Sequence, residues 1–306
     1  MPHGIMFHHF HDAFHPQGQG SITAEHLMAL LRSYQPGQWL DADDWLERAK
    51  TGTLEPQHRC VTFDDALLCQ YDVAVPVLKQ LGITAFWFVY SSVLQGNREP
   101  LEIYRLFRTV AFPSVEAFYR AFFKTATERH PRCQPHLSSP TARQHLAAFS
   151  FYTVEDRIFR YLRDEVLSTA DYAQIMDAMM DAHGFDVAAA ARQLWMRDAH
   201  LLELHRAGHR IGLHSHSHPT RLDRLPRAEQ FKEYFLNHTH LTRLLGERPR
   251  AMAHPCNAYN ADTLEILQEL GVEIGFRSNR ATVAHRTLLE LPREDHVNLL
   301  PGHTGK

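Results

Sequence analysis

A short apolar run that delivers two carboxylates side by side, followed by a helix and a second apolar run, constrains this chain more than any other feature. Cys60, Val61, Thr62 and Phe63 are apolar or β-branched and suit an enclosed pleated surface, and Asp64 and Asp65 follow where that strand should end. Beyond them Leu67, Leu68, Tyr71, Val75, Leu78 and Leu81 recur at helical spacing, with Pro76 predicting a kink or restart and Gly82 a stop. Residues 83–90 (ITAFWFVY) then form a near-continuous apolar strand. Apolar strands joined through a helix belong to a parallel sheet covered on both faces.

The rest of the chain continues this alternation, with one interruption. Residues 4–10 (GIMFHHF) read as a first strand with His8 and His9 at its end. Thr23 can cap a helix carrying Leu27, Leu30 and Leu31, and a second helix spans about 42–50. From about 102 to 193 helical spacing dominates, so 100–195 is expected to be a helical insertion or cap. Its aromatic stripe of Tyr104, Phe107, Phe112, Phe118, Tyr119, Phe122 and Phe123 is expected to be its own core. Strands are expected again at 209–213, 250–254, 273–277 and 288–291, with helices at 197–208, 228–245 and 261–270. This makes seven strands in a single domain, residues 1–306, without an internal repeat.

Such an α/β chain can be an open doubly wound sheet or a closed barrel. No glycine-rich phosphate loop follows an early strand, which weakens the nucleotide-binding open sheet. Asp64, Asp65, His214, His254 and Arg293 all fall just past expected strand ends. In a barrel those ends converge on one face, so the expected fold is a (β/α)7 barrel with a helical insertion between the third and fourth strands.

Composition excludes more than it selects. With 306 residues, 44% hydrophobic and 22% charged, the chain can bury a full core, and a net charge of -3 gives no electrostatic case for nucleic acid. The four cysteines show no CxxC pair and are expected to be reduced. The start, Met1-Pro2-His3-Gly4, lacks a signal peptide's pattern, and no apolar run is long enough to span a bilayer. A soluble cytoplasmic protein is expected, of unspecified oligomeric state.

Two adjacent acids at the end of a dry strand need a cation or a proton to offset their repulsion. The plain alternative is a polar turn after a strand. Asp65, His214 and His218 supply the carboxylate and imidazole donors of a three-ligand metal site, and Asp64 is left over for chemistry. His218 follows His214 by four residues, and one turn of helix or a tight loop would turn both rings to one side; the intervening His216 leaves a histidine-rich surface tract as the alternative.

Thr62-Phe63-Asp64-Asp65, His214-Ser215-His216-Ser217-His218 and Ala253-His254-Pro255-Cys256-Asn257 resemble, in order, the first three motifs of the polysaccharide deacetylase family (NodB-like, carbohydrate esterase family 4). The resemblance includes the flanks VPVLKQLGITAFWFV and GHRIGL but not the helical insertion. It implies a distorted barrel of about seven strands and hydrolysis of an acetamide to acetate and a free amine. It also implies Asp64 as general base and Asp65, His214 and His218 as ligands of a divalent metal, zinc first and cobalt, nickel or manganese as alternatives. The oxyanion would meet the Cys256 backbone N–H, with His254 and Asn257 in the same substrate-binding motif.

The sequence departs from the family pattern in places. Ala66 stands where a glycine usually follows the acid pair, and the third motif's arginine and aromatic fall on Ala253 and Cys256. Arg293 can instead steady Asp64, its alternative being a surface ion pair with Glu294 or Asp295. The family's histidine acid has no clear counterpart; His8, His296 and His303 are the candidates. The expected activity is metal-dependent N-deacetylation of an acetylated amino sugar or saccharide precursor in the cytoplasm, as in surface polysaccharide biosynthesis. An amidohydrolase or O-acetyl esterase using the same site, or a non-catalytic sugar-binding protein on this fold, are the alternatives.

Overall fold

The computed structural model describes residues 1–147, 152–283 and 287–299. Seven short strands form one parallel sheet: β1 His3–Phe7, β2 Arg59–Asp64, β3 Phe86–Val89, β4 Arg210–Leu213, β5 Ala251–Ala253, β6 Ile274–Phe276 and β7 Arg293–Asp295. Their order is β6-β5-β4-β3-β2-β1-β7. The register is tight at the centre, where β1 runs from His3 opposite Arg59 to Phe7 opposite Phe63. The gap between β6 and β7 is crossed just before β7: Phe276 bridges to Leu291, whose N–H donates to the Gly275 carbonyl at 2.8 Å. The result is a nearly closed, distorted (β/α)7 barrel, as expected.

Alternation along the strands separates two apolar layers. Val61, Phe63, Trp87, Val89, Ile211 and Leu213 pack with helix residues such as Leu78, Leu204 and Leu241. Cys60, Phe86, Phe88, Ala253, Ile274 and Phe276 pack with one another and with Trp45 and Leu46 of the helix Ala42–Thr51. Phe88 crowds its neighbour strand closely: a Cβ on Gly212 would lie 2.6 Å from both the Phe88 ring and the Ala251 carbonyl, so only glycine fits there.

Local signals explain most boundaries. Thr23 caps Ala24–Arg32, its hydroxyl accepting from the His26 N–H. The expected disturbance at Pro76 is a wide π-type turn over Gln70–Ala74 that feeds Val75–Leu81, with Pro76 in the first turn where its missing N–H costs nothing. Gly82 ends that helix in the left-handed region, φ +66°.

The last expected strand is corrected. Leu288–Glu290 is a 3-10 turn, and the strand is Arg293–Asp295. Thr287 caps the Leu289 N–H and the Glu290 carboxylate returns to the Thr287 N–H, so the apolar run winds instead of extending. Arg293 therefore opens β7, opposite Gly4, and does not follow a strand end.

Among the described residues the chain forms two compact units, 1–99 with 193 onward and 100–192. The second is helical, with Pro100–Val110, Val115–Arg129, Val154–Tyr161 and Thr169–Ala182 as its main elements. Its aromatic stripe does form its core: Phe107, Phe118, Tyr119 and Phe122 are buried. Phe122 meets Phe159 edge-to-face at 4.8 Å.

Candidate active site

β2 ends by splitting its two acids. Asp64 is the last strand residue, and Asp65 and Ala66 follow with φ of +79° and +55°. Two successive left-handed residues turn the chain sharply, and the Asp65 N–H and Ala66 carbonyl are tied down to Phe88 and Met196 at 3.0 and 2.8 Å. Ala66 has a physical account as a mild departure from glycine. Left-handed φ costs alanine roughly 1–2 kcal/mol, while its buried methyl returns about 0.8 kcal/mol.

Asp65 Oδ1 lies 3.4 Å from His214 Nε2 and 3.3 Å from His218 Nε2. The three residues offer ligand atoms all within 4.8 Å of one another. His214 Nδ1 is 2.8 Å from the Ala253 carbonyl, which takes its N–H, so that in the neutral ring it is Nε2, the atom facing Asp65, that carries the lone pair. Asp65 Oδ1 is buried and has no hydrogen-bond partner among the described residues. An orphaned carboxylate oxygen facing two imidazole nitrogens fits a divalent cation, and this donor set suits zinc. Burial opposes the Asp65 charge, but His218 and His214 outweigh it and hold the carboxyl well below its ordinary range.

Asp64 belongs to a different set of contacts. Arg293 grips it with both ends of its fork, Nη1 to Oδ1 at 2.6 Å and Nη2 to Oδ2 at 2.7 Å. The guanidinium is fully enclosed, its Nε donating to the Arg277 carbonyl at 2.8 Å and Nη1 also reaching Thr62 Oγ1 at 3.2 Å. Arg293 thus pairs inward with Asp64, the expected pairing, and reaches it from the opening of β7. Burial works against the Asp64 charge, and Arg293 more than restores it, so its carboxyl stays below the usual range.

The polysaccharide deacetylase family model matches residues 163–275, a stretch containing β4, β5, His214 and His218. This region is similar to polysaccharide deacetylases. Solved structures agree in fold across almost the whole chain. The Streptococcus pyogenes deacetylase PplD in complex with acetate is 15% identical with a TM-score of 0.54, covering 96% of this chain and 91% of that one. The de-N-acetylase of Aggregatibacter actinomycetemcomitans is 12% identical with a TM-score of 0.55, covering 96% and 94%. The BpsB deacetylase domain of Bordetella bronchiseptica is 14% identical with a TM-score of 0.53, again covering 96% and 94%. No curated protein matches the sequence.

Within this barrel the three candidate histidine acids separate. His8, just past β1, has Nε2 at 3.8 Å from Asp64 Oδ2 and 4.0 Å from Asp65 Oδ2, and it is 28% exposed, so it stands between the acids and solvent. His296 is buried, with Nδ1 and Nε2 at 3.2 and 3.1 Å from the Met6 and Gly20 carbonyls, and its ring stacks on Phe7. His303 lies outside the described residues.

The third motif forms a one-turn 3-10 helix, Pro255–Asn257, in which Cys256 has φ +50° and Asn257 +57°. Cys256 is exposed at its tip. His254 is buried, its Nε2 donating to the Leu289 carbonyl at 2.8 Å and its ring stacked 4.1 Å from Tyr259. Burial pushes His254 down to about 4, so it is neutral near pH 7. Asn257 Oδ1 accepts from the Ser278 N–H at 3.0 Å.

The sequence reading missed the polar residues behind the site. Gln70 Nε2 donates to the His8 and Asp64 carbonyls at 2.8 and 2.6 Å, joining the ends of β1 and β2. Asn237 Oδ1 accepts from the His214 N–H at 3.0 Å while its Nδ2 donates to the Val89 carbonyl at 3.1 Å. Tyr90 packs its ring 5.3 Å from that of His218 and receives the Trp195 Nε1–H at 2.6 Å. A buried amide spaced to reach two strand ends is a signal only once the sheet order is known.

Proposed function

We propose that this protein is a metal-dependent N-deacetylase acting on an acetylated amino sugar or saccharide precursor. The observation that carries the reading is the division of the acid pair: Asp65 Oδ1 faces two imidazoles and has no hydrogen-bond partner among the described residues, while Asp64 is held ionised by Arg293. Asp65, His214 and His218 would hold the metal, zinc first, with cobalt, nickel and manganese as alternatives. When bound there, it would polarise the acyl carbonyl and lower the pKa of water.

The chain's own groups account for the proton movements. Asp64 takes a proton from the attacking water, and Arg293 keeps its carboxylate ionised and oriented for that step. His8, within 4.0 Å of both acids, returns a proton to the departing amine. The Cys256 backbone N–H is the proposed donor to the oxyanion, and His254 and Asn257 fix the turn that presents it. None of the four cysteines is in a disulfide, which suits the proposed cytoplasmic location. No described helix is long and apolar enough to cross a membrane.

A substrate panel tests the reading against its alternatives. Zinc-loaded protein is expected to release acetate from N-acetylated saccharides. Turnover restricted to O-acetyl esters or cyclic amides would replace N-deacetylation with those chemistries. Saccharide binding without turnover would make this a binding protein.

A further inference from the structure

We infer that Glu233 is a positioning residue that pre-shapes the histidine loop after β4 for the metal. The inference rests on the metal reading of Asp65, His214 and His218 and extends it to the helix Arg227–Leu245. Residues 214–218 lie outside helix and strand, and two of them, Ser215 and His218, have φ of +63° and +54°. Such left-handed non-glycine residues are strained and persist only when their surroundings enforce them.

The enforcement comes from side chains. Glu233 Oε2 accepts from two successive backbone N–H groups, His216 at 3.0 Å and Ser217 at 2.7 Å, and Oε1 accepts from Ser217 Oγ at 2.8 Å. Successive N–H groups after a left-handed residue form a concavity that favours an anion, and the Glu233 carboxylate fills it. One helical turn further on, Asn237 takes the His214 N–H. Ser215 Oγ takes the His218 N–H at 3.1 Å, and His216 is pinned through its carbonyl by the Ser92 N–H at 2.9 Å and through Nδ1 by Ser91 Oγ at 2.9 Å. Glu233 thus neutralises the centre of the loop, and His214 and His218 emerge on either side with both Nε2 atoms toward Asp65. It is not among the three ligating residues.

Zinc affinity separates this role from ordinary packing. Chelator-stripped wild type, Glu233→Gln and Glu233→Ala are titrated with zinc against a chromophoric chelator, and each metal-free protein is melted in parallel. Gln keeps the side-chain volume and one acceptor but presents an NH2 to the remaining donors. The zinc Kd is expected to rise about tenfold in Glu233→Gln and by up to about a hundredfold in Glu233→Ala. If Glu233→Ala does not fold, the isosteric Glu233→Gln decides. A Kd within twofold of wild type in the folded variants, with only the melting temperature lowered, would overturn the inference while leaving the metal site standing. Absence of zinc binding by wild type, or binding indifferent to Asp65→Asn, would overturn both.

Discussion

Asp64→Asn is expected to lower acetate release by about a thousandfold, in the range general acid–base groups contribute, while the protein still binds one zinc. The reason is the separation of the two acids. Asp64 is bound to Arg293 through both oxygens, whereas Asp65 Oδ1 faces His214 and His218. The amide cannot take up the water's proton, but it leaves the three ligands in place. Asp65→Asn should reverse the pattern, losing zinc and activity together. Because an amide opposite Arg293 puts an NH2 against a guanidinium donor, turnover should be measured well below the variant's melting temperature, with zinc content as the check on folding. Equal loss of zinc in both variants would mean that the acids share one role.

Arg293→Ala is expected to have the largest effect on stability. Breaking a buried ion pair from one side leaves the other charge uncompensated, at a cost of about 3–5 kcal/mol. Both groups are enclosed, Arg293 at 0% and Asp64 at 3% side-chain exposure, so solvent does not screen the loss. For a chain of this size the melting temperature should fall on the order of 10 °C. The effect should depend on pH. In the wild type the Asp64 carboxyl is held below its unfolded value, near 3.9, so its contribution is present above that pH and lost as pH falls through the native value. Without Arg293 burial drives Asp64 the other way, and the variant gains by protonating it. The difference between the two proteins should therefore be greatest near neutral pH and shrink toward pH 4. Thermal melts across that range check this, and a pH-independent difference would contradict it.

The strands that sequence located best are those whose apolar runs are enclosed. Residues 60–64 of β2 and Phe86–Val89 carry continuous burial, so their composition announces them. β7 does not: it is three residues, Arg293–Asp295, and its inward side chain is a guanidinium that reaches past β1 to Asp64 at the end of β2. The apolar run before it drew the expectation to 288–291, where the Thr287 and Glu290 cap winds the chain instead. The site was legible where chemistry and topology coincide. Asp64, Asp65, His214 and His254 stand at or just past strand ends, and Arg293 was legible as a partner although its strand was misplaced. Gln70, Glu233 and Asn237 were not legible. They are polar residues within helical segments, and composition alone reads them as a solvent face. Their inward direction follows from the packing of the helices against the barrel, to which residue spacing is blind.

The metal-dependent mechanism is tested most directly by acetate release followed across a zinc titration of chelator-stripped wild-type protein with an N-acetylated saccharide. It predicts negligible release without metal and a rise that saturates near one zinc per chain. Acetate release undiminished by complete metal removal, or absent at every zinc concentration, would contradict it.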